Sequence, residues 1–401
     1  MHNILVINAG SSSIKFQLID MDDKAVLAKG VVDRIGLGGS KMKYKSKNGN
    51  AEFECDAPDH DAGIKVVLNS IVNRDYGVIQ SMDEIKAVGH RVLHGGDRYS
   101  ESVVVNQDVL DAIQEFSVLG PLHNIPQKHC IEACMKQMPG TPMVAVFDTA
   151  FHQTMPPKAY LYGLPYEDYE KFKIRRYGFH GTSHRYVSRR TAELIGKKPE
   201  ECRIIVCHLG NGSSVSAVDR GKCVDTSMGL TPLEGLVMGT RCGSMDPAIV
   251  TRLMEWKGMT PAEVDEYMNK KSGVLGLSGF SSDFRDLGIA ALEQGNERAM
   301  LALEVFSYNV KKYIGAYAAV MNGVDAIAFT GGIGEFDEIV RRLVMTDMEY
   351  LGIDFDFDLN DNFIRGKEME LTKPGSRTRV WIVPTDEEMT IATETYDLTA
   401  R

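Results

Sequence analysis

The sequence predicts an α/β protein built from two or three domains, and three observations support this prediction. The chain has 401 residues, more than one hydrophobic core usually fills, so more than one domain is expected. Patterns typical of buried strands alternate with stretches of helical period. A short strand–turn–strand pattern also occurs twice, about half a chain apart, as a duplicated domain would produce.

The strand predictions come from short apolar runs bounded by turn residues. These runs read ILVI, AVGHRVLH, MVAVFDTAF, RIIVCHLG, AIAFTGG and VWIVPT. Helical stretches lie between these strands. The clearest spans residues 295–322 and is stopped by Asn322 and Gly323. The apolar stripe predicted for this helix consists of Leu301, Val305, Val310, Ile314 and Ala318.

The repeated pattern combines a strand, a glycine-rich turn, paired serines, an alternating strand and a closing Asp. One copy continues from Ser12 as SSIKFQLID, and the other from Ser213 as SSVSAVD. Glycine lets the backbone approach a ligand, while the hydroxyls and backbone N–H groups of such a turn are donors suited to phosphate oxygens. Two such turns would suit a polyphosphate, although each alone also fits a plain hairpin.

Composition excludes several classes of partner and site. The formal net charge of −10 argues against duplex nucleic acid or an anionic membrane surface, whereas anionic small molecules remain suitable ligands. Seven cysteines without a CxxC pair predict reduced thiols and neither a disulfide framework nor a zinc site. No secretory leader and no apolar run of bilayer length is recognisable, so the predicted compartment is the cytoplasm.

Common nucleotide-binding motifs are absent from the sequence. No GxxxxGK[ST] occurs, and the run GGIGE at 331–335 fails the dinucleotide fingerprint because Asp337 stands where its third glycine belongs. These glycines still follow a predicted strand, where α/β sheets bind ligands, so a base or ribose could pack there. Asp148 also follows a predicted strand, and Glu387 lies in the first turn of a predicted helix at 387–396. Such carboxylates can hold Mg²⁺ or orient a nucleophile, although Glu387 also fits a plain helix start.

Histidine, arginine and glycine are concentrated in three segments. These are GHRVLHGGDRY at 89–99, RRYGFHGTSHRYV at 175–187 and GTRCGSMDP at 239–247. A single histidine is more often structural than catalytic, but this combination suits an anion that is being transferred, because arginine binds anions through its bidentate fork.

Eight motifs follow one another along the chain. They are NAGSSSIKFQL, HRVLHGG, FDTAFH, RRYGFHGTSH, HLGNGSS, TPLEGLVMGTRCGSMDP, SDFRDL and FTGGIGE. In their order and spacing, from residue 3 to about residue 395, the chain resembles the acetokinase family. The resemblance implies two duplicated actin-like ATPase domains of the ribonuclease H-like type, with the active site in the interdomain cleft. The N-terminal domain would comprise residues 1–150 plus 386–401, and residues 151–385 would carry the nucleotide site and the dimer interface.

The resemblance also implies an activity. Members of the family are homodimers that reversibly transfer the γ-phosphoryl group of ATP to acetate, giving acetyl phosphate and ADP. The expected metal is Mg²⁺, with Mn²⁺ as an alternative. The expected partners are acetate, ATP and a second copy of the chain, with no nucleic acid and no membrane.

The family's functional residues can be carried onto this sequence. The magnesium positions fall on Asn8 and Glu387. The catalytic positions are Arg91, Asp148, His180 and Arg241, and Arg91 also binds the substrate. The pocket for the methyl group would be walled by Leu93, Leu122, Phe179 and Pro232. The nucleotide and phosphate contacts correspond to Ser11, Ser13, Lys15, His208, Leu209, Gly210, Asn211, Gly212, Asp283, Phe284, Arg285, Gly331, Gly332, Ile333, Gly334 and Glu335.

Three positions depart from the family pattern. Leu93 replaces a smaller valine, which predicts a tighter pocket and a preference for acetate over propionate. Phe336 and Asp386 each replace an asparagine, the first beside the nucleotide site and the second beside the expected metal ligand Glu387. Since acetate is already ionised, Asp148 is expected to orient the metal or acetate rather than to remove a proton.

Two other functions are alternatives to phosphoryl transfer to acetate. An ATP-driven switch resembling actin or Hsp70 would use the same phosphate turns, but it would not need Arg91, Arg241 and a small apolar pocket. A kinase of the same family could also act on a longer acid such as propionate or butyrate. Acetate is the substrate that the sequence favours.

Overall fold

The computed structural model describes residues 2–400, apart from the side chains of residues 121 and 122. The strands in this range are β1 (Asn3–Ala9), β2 (Ser13–Asp20), β3 (Ala25–Asp33), β4 (Ser40–Ser46), β5 (Gly49–Cys55), β6 (Ile85–Val92), β7 (Val103–Val104), β8 (Met143–Phe147), β9 (Arg203–Leu209), β10 (Ser213–Asp219), β11 (Lys222–Thr226), β12 (Ala326–Thr330), β13 (Met369–Glu370) and β14 (Arg379–Ile382).

The helices of the same range alternate with these strands. They are α1 (His60–Ile71), α2 (Gln107–Glu115), α3 (Pro121–Gln137), α4 (Pro157–Tyr160), α5 (Tyr166–Phe172), α6 (Gly181–Leu194), α7 (Ala248–Lys257), α8 (Pro261–Lys270), α9 (Gly273–Ser278), α10 (Phe284–Leu292), α11 (Glu297–Val320), α12 (Gly331–Phe336), α13 (Glu338–Met345), α14 (Phe357–Asp361) and α15 (Glu387–Thr399). The chain divides into two compact units. The first comprises Met1–Gln153 and Asp386–Arg401, and the second Thr154–Thr385.

An eight-stranded mixed sheet forms the centre of the first unit, in the order β5-β4-β3-β2-β1-β6-β8-β7. β1 to β5 pair antiparallel in sequence, whereas β6 and β8 run parallel to β1. Alternate residues of β1 enter two cores: Leu5 and Ile7 pack with α1 and α3, and Ile4 and Val6 pack with α15. Strands covered on both faces become continuously apolar, which explains the run ILVI.

A six-stranded sheet forms the centre of the second unit, in the order β11-β10-β9-β12-β14-β13. β9 alternates in the same way as β1. Ile205 and Cys207 face a core that includes α11, and Ile204 and Val206 face α6. The parallel strands β9, β12 and β14 therefore lie between helices on both faces, with their carboxyl ends at one edge of the sheet.

The two sheets share one strand order, which confirms the predicted α/β class with a duplicated, actin-like arrangement. In order and direction, β3-β2-β1-β6-β8-β7 corresponds to β11-β10-β9-β12-β14-β13. The register pairs Asn8 with Lys15 in the first sheet and His208 with Ser214 in the second. Lys15 and Ser214 thus hold equivalent positions in the two sheets. Because the second turn is shorter than the first, the two serine pairs of the sequence pattern do not occupy equivalent positions.

Each of the six strand predictions overlaps a strand, namely β1, β6, β8, β9, β12 and β14. The predicted helix at 295–322 is α11, which begins after its N-cap Asn296. Its predicted stripe is wrong at Leu301, which is 51% exposed. The buried face instead contains Leu303 and Phe306 besides Val310 and Ile314, and all four side chains pack in the core of the second unit.

Within residues 2–400, no helix combines the length and the hydropathy of a membrane-spanning segment. All seven cysteines of the chain are free thiols, and five of them are buried.

Candidate active site

The predicted site residues fall into two groups, one in each unit. In the first unit, Asn8 lies near the carboxyl end of β1, Arg91 near that of β6, and Asp148 directly after β8. Because these three strands are parallel neighbours, their carboxyl ends meet at one edge of the sheet, where α/β proteins bind ligands. α15 begins at Glu387, and its N-cap Asp386 accepts a hydrogen bond from the backbone N–H of Met389 at 2.9 Å.

Arg91 and Asp148 form a bidentate ion pair within this group. The Arg91 Nε donates to Asp148 Oδ1 at 3.1 Å, and its Nη2 donates to Oδ2 at 2.6 Å. Asp148 is almost fully buried, with 1% of its side chain exposed, whereas 24% of the Arg91 side chain is exposed. No described residue accepts a hydrogen bond from the Arg91 Nη1. The carboxylate therefore fixes one edge of the guanidinium and leaves the other for a ligand.

Further carboxylates lie close enough to Arg91 to affect its titration. Asp148 raises the pKa of Arg91, and Glu387 and Glu388 raise it further, against the effect of burial. Burial raises the pKa of Glu387, and Asp148 adds to this effect while Arg91 opposes it. Among the described residues, none donates a hydrogen bond to the Glu387 carboxylate. A partly buried carboxylate of this kind is a suitable ligand for a hard cation.

The first glycine-rich turn links β1 and β2. The Gly10 N–H donates to the Ser13 carbonyl at 2.8 Å, and the His60 Nε2 contacts the Gly10 carbonyl oxygen at 2.8 Å. Ser11 is exposed at the tip of this turn. The turn is therefore held by hydrogen bonds to its backbone, and its Ser11 hydroxyl remains accessible.

A cavity of about 250 Å³ lies on the sheet beside this turn. Asn8, Lys15, Lys29 and Glu388 contribute polar groups to its lining. Lys15 projects from β2 directly opposite Asn8 in the antiparallel register. This cavity therefore combines amide, ammonium and carboxylate groups beside a turn with exposed donors.

The predicted pocket residue Leu93 is buried directly after β6. Its backbone N–H donates to the Gln127 Oε1 at 2.9 Å, and the Gln127 Nε2 donates to the Ala9 carbonyl at 3.4 Å. Gln127 thus ties the end of β1 to the residue after β6, a role that the sequence analysis missed. Leu122, predicted for the same pocket, lies outside the residues whose side chains the structure describes.

In the second unit, histidines gather at the start of α6. His180 precedes this helix in the left-handed conformation, with φ of 58°, which is uncommon for a residue other than glycine. The Ser214 Oγ contacts the His180 Nδ1 at 2.9 Å and the His184 Nε2 at 2.7 Å. The His208 ring stacks on that of His180, with 4.3 Å between centroids, and its Nδ1 contacts the Ser183 Oγ at 2.8 Å. Backbone strain of this kind is concentrated at functional sites.

Arg241 lies beside the second glycine-rich turn. Its Nη1 donates to the Pro232 carbonyl at 3.2 Å, and this atom would be 3.2 Å from a Cβ added at Gly212. The ring of His180 would be 3.6 Å from the same Cβ. Burial lowers the pKa of Arg241, and no carboxylate among the described residues pairs with it. A partly desolvated guanidinium without a counter-charge is suited to bind an anion.

A cavity of about 440 Å³ opens between the second turn and the start of α12. Its lining includes the predicted residues Gly210, Asn211, Asp283, Phe284, Arg285, Gly332 and Ile333, together with Ser282, Phe336, Asp337 and Arg365. Asp283 accepts hydrogen bonds from the Arg285 Nε at 3.2 Å and Nη2 at 2.6 Å. The Arg365 guanidinium lies over the Phe336 ring, 5.5 Å from its centroid. This volume is typical of a pocket for a small organic ligand.

The other predicted residues near this cavity shape its walls. Glu335 is buried, which raises its pKa, and its Oε1 accepts hydrogen bonds from the backbone N–H groups of Gly331 at 3.0 Å and Thr385 at 3.3 Å. Gly331 has φ of 76°, and a Cβ there would lie 2.7 Å from the Leu209 carbonyl oxygen, so only glycine fits without a shift. Gly334 also accepts a hydrogen bond through its carbonyl, from the buried Arg341 Nη1 at 2.9 Å.

Within residues 2–400, no cluster of three or more His, Cys, Asp or Glu side chains is arranged to bind a metal ion. Mg²⁺ in phosphoryl-transfer enzymes is commonly held by one or two protein groups together with substrate phosphates and water. The carboxylate of Glu387 and the amide of Asn8, both in the first unit, are of the ligand types that this mode of binding uses.

Comparisons with known proteins agree with this arrangement. The profile of the acetokinase family matches residues 3–393. The acetate kinase of Thermotoga maritima is 57% identical over 396 residues, covering 98% of each chain. The crystal structure of Porphyromonas gingivalis acetate kinase has a TM-score of 0.96 at 48% identity, covering 99% of this chain and 100% of that one. A propionate kinase from Francisella tularensis has a TM-score of 0.91 at 39% identity, covering 99% and 100%. The chain belongs to the acetokinase family.

Proposed function

We propose that the acetate kinase activity of this chain proceeds by Mg²⁺-dependent, in-line transfer of the γ-phosphoryl group of ATP to acetate, with Arg91 and Arg241 as preorganised cations. As a member of the acetokinase family, the chain interconverts ATP and acetate with ADP and acetyl phosphate. The observation that supports the mechanism most strongly is Arg241. Its guanidinium is partly buried, pairs with no carboxylate of residues 2–400 and lies beside a phosphate-type turn.

We assign to Arg91 the binding of the acetate carboxylate, which accepts the phosphoryl group. Its Nε and Nη2 are engaged by Asp148, so the Nη1 can donate to one oxygen of acetate. Acetate is ionised at neutral pH and needs no general base. Asp148 therefore orients Arg91 and contributes negative charge near the metal position, without taking a proton from the substrate.

We assign to Arg241 and His180 the stabilisation of the phosphoryl group during its transfer. A loose transition state spreads negative charge over three equatorial oxygens, and fixed donors stabilise this charge without reorganisation. The Pro232 carbonyl fixes one nitrogen of Arg241, and Ser214 fixes the ring of His180. Both donors are therefore held in place before the substrate arrives.

ATP is assigned to the cavity of the second unit. The turn Gly210–Gly212 would contact its phosphates, while Asp283, Arg285, Gly332 and Ile333 would surround the adenosine. Lys15 and the serines of the first turn are assigned to further phosphate contacts. The cavity of about 440 Å³ lies in the range of nucleotide-sized pockets.

Asn8 and Glu387 are proposed to hold Mg²⁺, with Mn²⁺ as an alternative. Burial raises the pKa of the Glu387 carboxylate, which a bound divalent cation would counteract. The metal would supply charge neutralisation at the phosphate oxygens of ATP. Asp386, which replaces a neutral amide of the family pattern, caps α15 and adds a second negative charge beside Glu387.

A homodimer is proposed for the same chain. None of the residues of α7 is buried, and Trp256 on this helix is 77% exposed. Large exposed aromatic side chains are typical of protein interfaces, and a second copy of the chain is the partner that the family resemblance implies. A cytoplasmic location is also proposed, since seven free thiols suit a reducing compartment.

A hydroxamate assay tests the proposed function. Purified protein is incubated with ATP, Mg²⁺ and acetate, propionate or butyrate, with hydroxylamine to trap the acyl phosphate and with a control that contains no acid. Acetyl hydroxamate should form fastest, and omission of Mg²⁺ should abolish it. Loss of ATP without hydroxamate in any reaction would contradict the proposal. Faster formation of propionyl hydroxamate would reassign the acceptor to the longer acid.

A further inference from the structure

Two segments of the second unit carry predicted site residues, and a cluster of three other side chains joins them. Segment 177–180 contains Phe179 and His180, and loop 229–241 contains Pro232 and Arg241. The cluster consists of Tyr162, Arg176 and Glu234, and we call it the clamp.

Glu234 is the centre of the clamp. Its Oε1 accepts a hydrogen bond from the Arg176 Nη2 at 2.8 Å, and its Oε2 accepts one from the Tyr162 hydroxyl. The same hydroxyl accepts a hydrogen bond from the backbone N–H of Leu230 at 2.9 Å. The Tyr162 hydroxyl therefore contacts the loop at two points, the side chain of Glu234 and the backbone of Leu230.

Arg176 holds the chain just before loop 229–241. Its Nη1 donates to the carbonyl of Thr226 at 2.8 Å and to that of Ser227 at 3.1 Å. Its guanidinium also lies near the Tyr162 ring, 5.8 Å from the centroid. One side chain thus anchors the end of β11, the following Ser227 and the carboxylate of Glu234.

The two segments also meet directly at Gly229. Its carbonyl oxygen accepts hydrogen bonds from the backbone N–H groups of Tyr177 at 3.0 Å and Gly178 at 3.3 Å. A Cβ at Gly229 would lie 1.7 Å from the Glu234 Oε2 and 2.2 Å from the Tyr162 hydroxyl oxygen. A larger residue at position 229 would displace the Glu234 carboxylate and the Tyr162 hydroxyl from their present positions.

The charges of the clamp are complementary. Although burial lowers the pKa of Arg176, the carboxylate of Glu234 raises it above its ordinary value. Burial raises the pKa of Tyr162, and the Glu234 carboxylate raises it further, so its hydroxyl remains a donor at neutral pH. Hydrogen bonds between charged, partly buried groups are stronger than neutral ones and hold their partners in one geometry.

The loop needs such an anchor because it has no regular structure of its own. Residues 227–247, between β11 and α7, form neither helix nor strand. Loops of this length are uncommon unless they are functional, and a catalytic group on a loop is placed only as well as the loop is fixed. Arg241 lies on this loop, and its Nη1 is held by the Pro232 carbonyl of the same loop.

We propose that Tyr162, Arg176 and Glu234 are positioning residues that fix loop 229–241 against segment 177–180. The clamp thereby sets the position of Arg241 relative to His180, and the separation of Phe179 from Pro232 in the pocket for the acyl group. The proposal rests on the proposed function of these four residues. None of the three clamp residues is assigned a contact with the substrate, and each acts through the loop.

Glu234→Gln and Tyr162→Phe test the clamp. The glutamine places an N–H₂ group against donors, and the phenylalanine keeps the ring but removes both hydrogen bonds. Glu370→Gln is the matched control, because Glu370 also pairs bidentately with an arginine in this unit and its side chain has the same exposure of 29%. The measurements are kcat and KM for ATP, acetate and propionate by the hydroxamate assay, with the melting temperature of each variant.

Glu234→Gln and Tyr162→Phe should each lower kcat with acetate by about tenfold or more, since a displacement near 1 Å has effects of that size. KM for ATP should stay within about twofold, and the ratio of kcat/KM for propionate to that for acetate should shift by about threefold or more. Loss of folded protein alone would lower the apparent kcat/KM for both acids by the same factor and leave this ratio unchanged. If Glu234→Gln does not fold, Tyr162→Phe decides the test.

The proposal would be overturned if Glu234→Gln and Tyr162→Phe had the same kcat and KM values as the control Glu370→Gln. If the wild-type chain itself forms no acetyl hydroxamate, the proposed function fails instead, so the two failures are distinguishable.

Discussion

The Arg91 guanidinium donates to the Asp148 carboxylate through Nε at 3.1 Å and through Nη2 at 2.6 Å. Arg91 lies on β6, and Asp148 directly follows the neighbouring parallel strand β8. Asp148 is buried beneath the more exposed arginine. This pair therefore presents an oriented cation at the sheet edge, with a carboxylate as its support.

We expect Asp148→Asn to lower kcat with acetate on the order of 10²-fold, because the amide cannot accept both hydrogen bonds of the guanidinium. The measurement is steady-state hydroxamate formation, with urea unfolding to correct for the folded fraction. Glu115→Gln is the control, since Glu115 pairs with Arg98 at 2.8 Å on the exposed surface of the same unit. Near-native turnover of Asp148→Asn would contradict the assigned role.

Leu93 should determine how strongly the chain prefers acetate. We expect a higher kcat/KM for acetate than for propionate, and we expect Leu93→Val to narrow the difference by admitting one more methylene group. One methylene in such a pocket corresponds to about 1–3 kcal/mol. The test compares both acids in the wild type, Leu93→Val and Leu371→Val, the last being a buried leucine of the other unit. Equal specificity constants in the wild type would refute a tight pocket.

Phe336 should act as a stacking surface for the nucleotide base. It lines the cavity of the second unit, and Arg365 lies over its ring. Because stacking of a base on an aromatic ring is worth about 1–3 kcal/mol, we expect Phe336→Asn to raise KM roughly tenfold for both ATP and GTP, with kcat nearly unchanged. Phe172→Asn, at an exposed phenylalanine outside the cavity lining, is the control. An unchanged KM for both nucleotides would exclude stacking.

Asp337 gives the chain a stability that depends on pH. Burial raises its pKa from 3.8 to about 6 while its side chain caps α13 by accepting from the Val340 N–H at 2.9 Å. The native state thus holds this proton to higher pH than the unfolded chain. Its stabilising effect is complete below pH 3.8 and is lost as the pH rises through 6.

Asparagine at position 337 keeps the cap but does not titrate. We therefore expect Asp337→Asn to gain stability relative to the wild type between about pH 4 and pH 7, by on the order of 2 kcal/mol. Urea unfolding at both pH values measures the difference, and Asp356→Asn, at the N-cap of α14, serves as the reference for a cap substitution. If the difference in the free energy of unfolding between Asp337→Asn and the wild type does not change with pH, Asp337 does not have a raised pKa in the native state.

Much of the scaffold follows from local sequence. The apolar run of β1 and the N-cap and stop residues of α11 are local signals, and they predict these elements well. Leu301 was misassigned because periodicity alone does not fix which side of a long helix meets the core, and the larger Phe306 decides it.

The contacts within the site were harder to predict. Pairing of Arg91 with Asp148 depends on which strands are neighbours, and Ser214 contacts two histidines that lie more than one element away in the chain. Glu234 lies within the motif TPLEGLVMGTRCGSMDP, yet its partner Tyr162 carries no local signal. Such contacts depend on the tertiary structure, which a spacing pattern does not contain.

The most direct test of the account is the rate of acetyl hydroxamate formation by Arg241→Ala, measured with and without added guanidinium. Arg241 has no carboxylate partner among the described residues, so its charge is available to the transferring phosphoryl group. We predict a loss on the order of 10²-fold or more in kcat with little change in KM for ATP, and partial recovery with guanidinium. Turnover within a few-fold of the wild type, without any response to guanidinium, would contradict the mechanism.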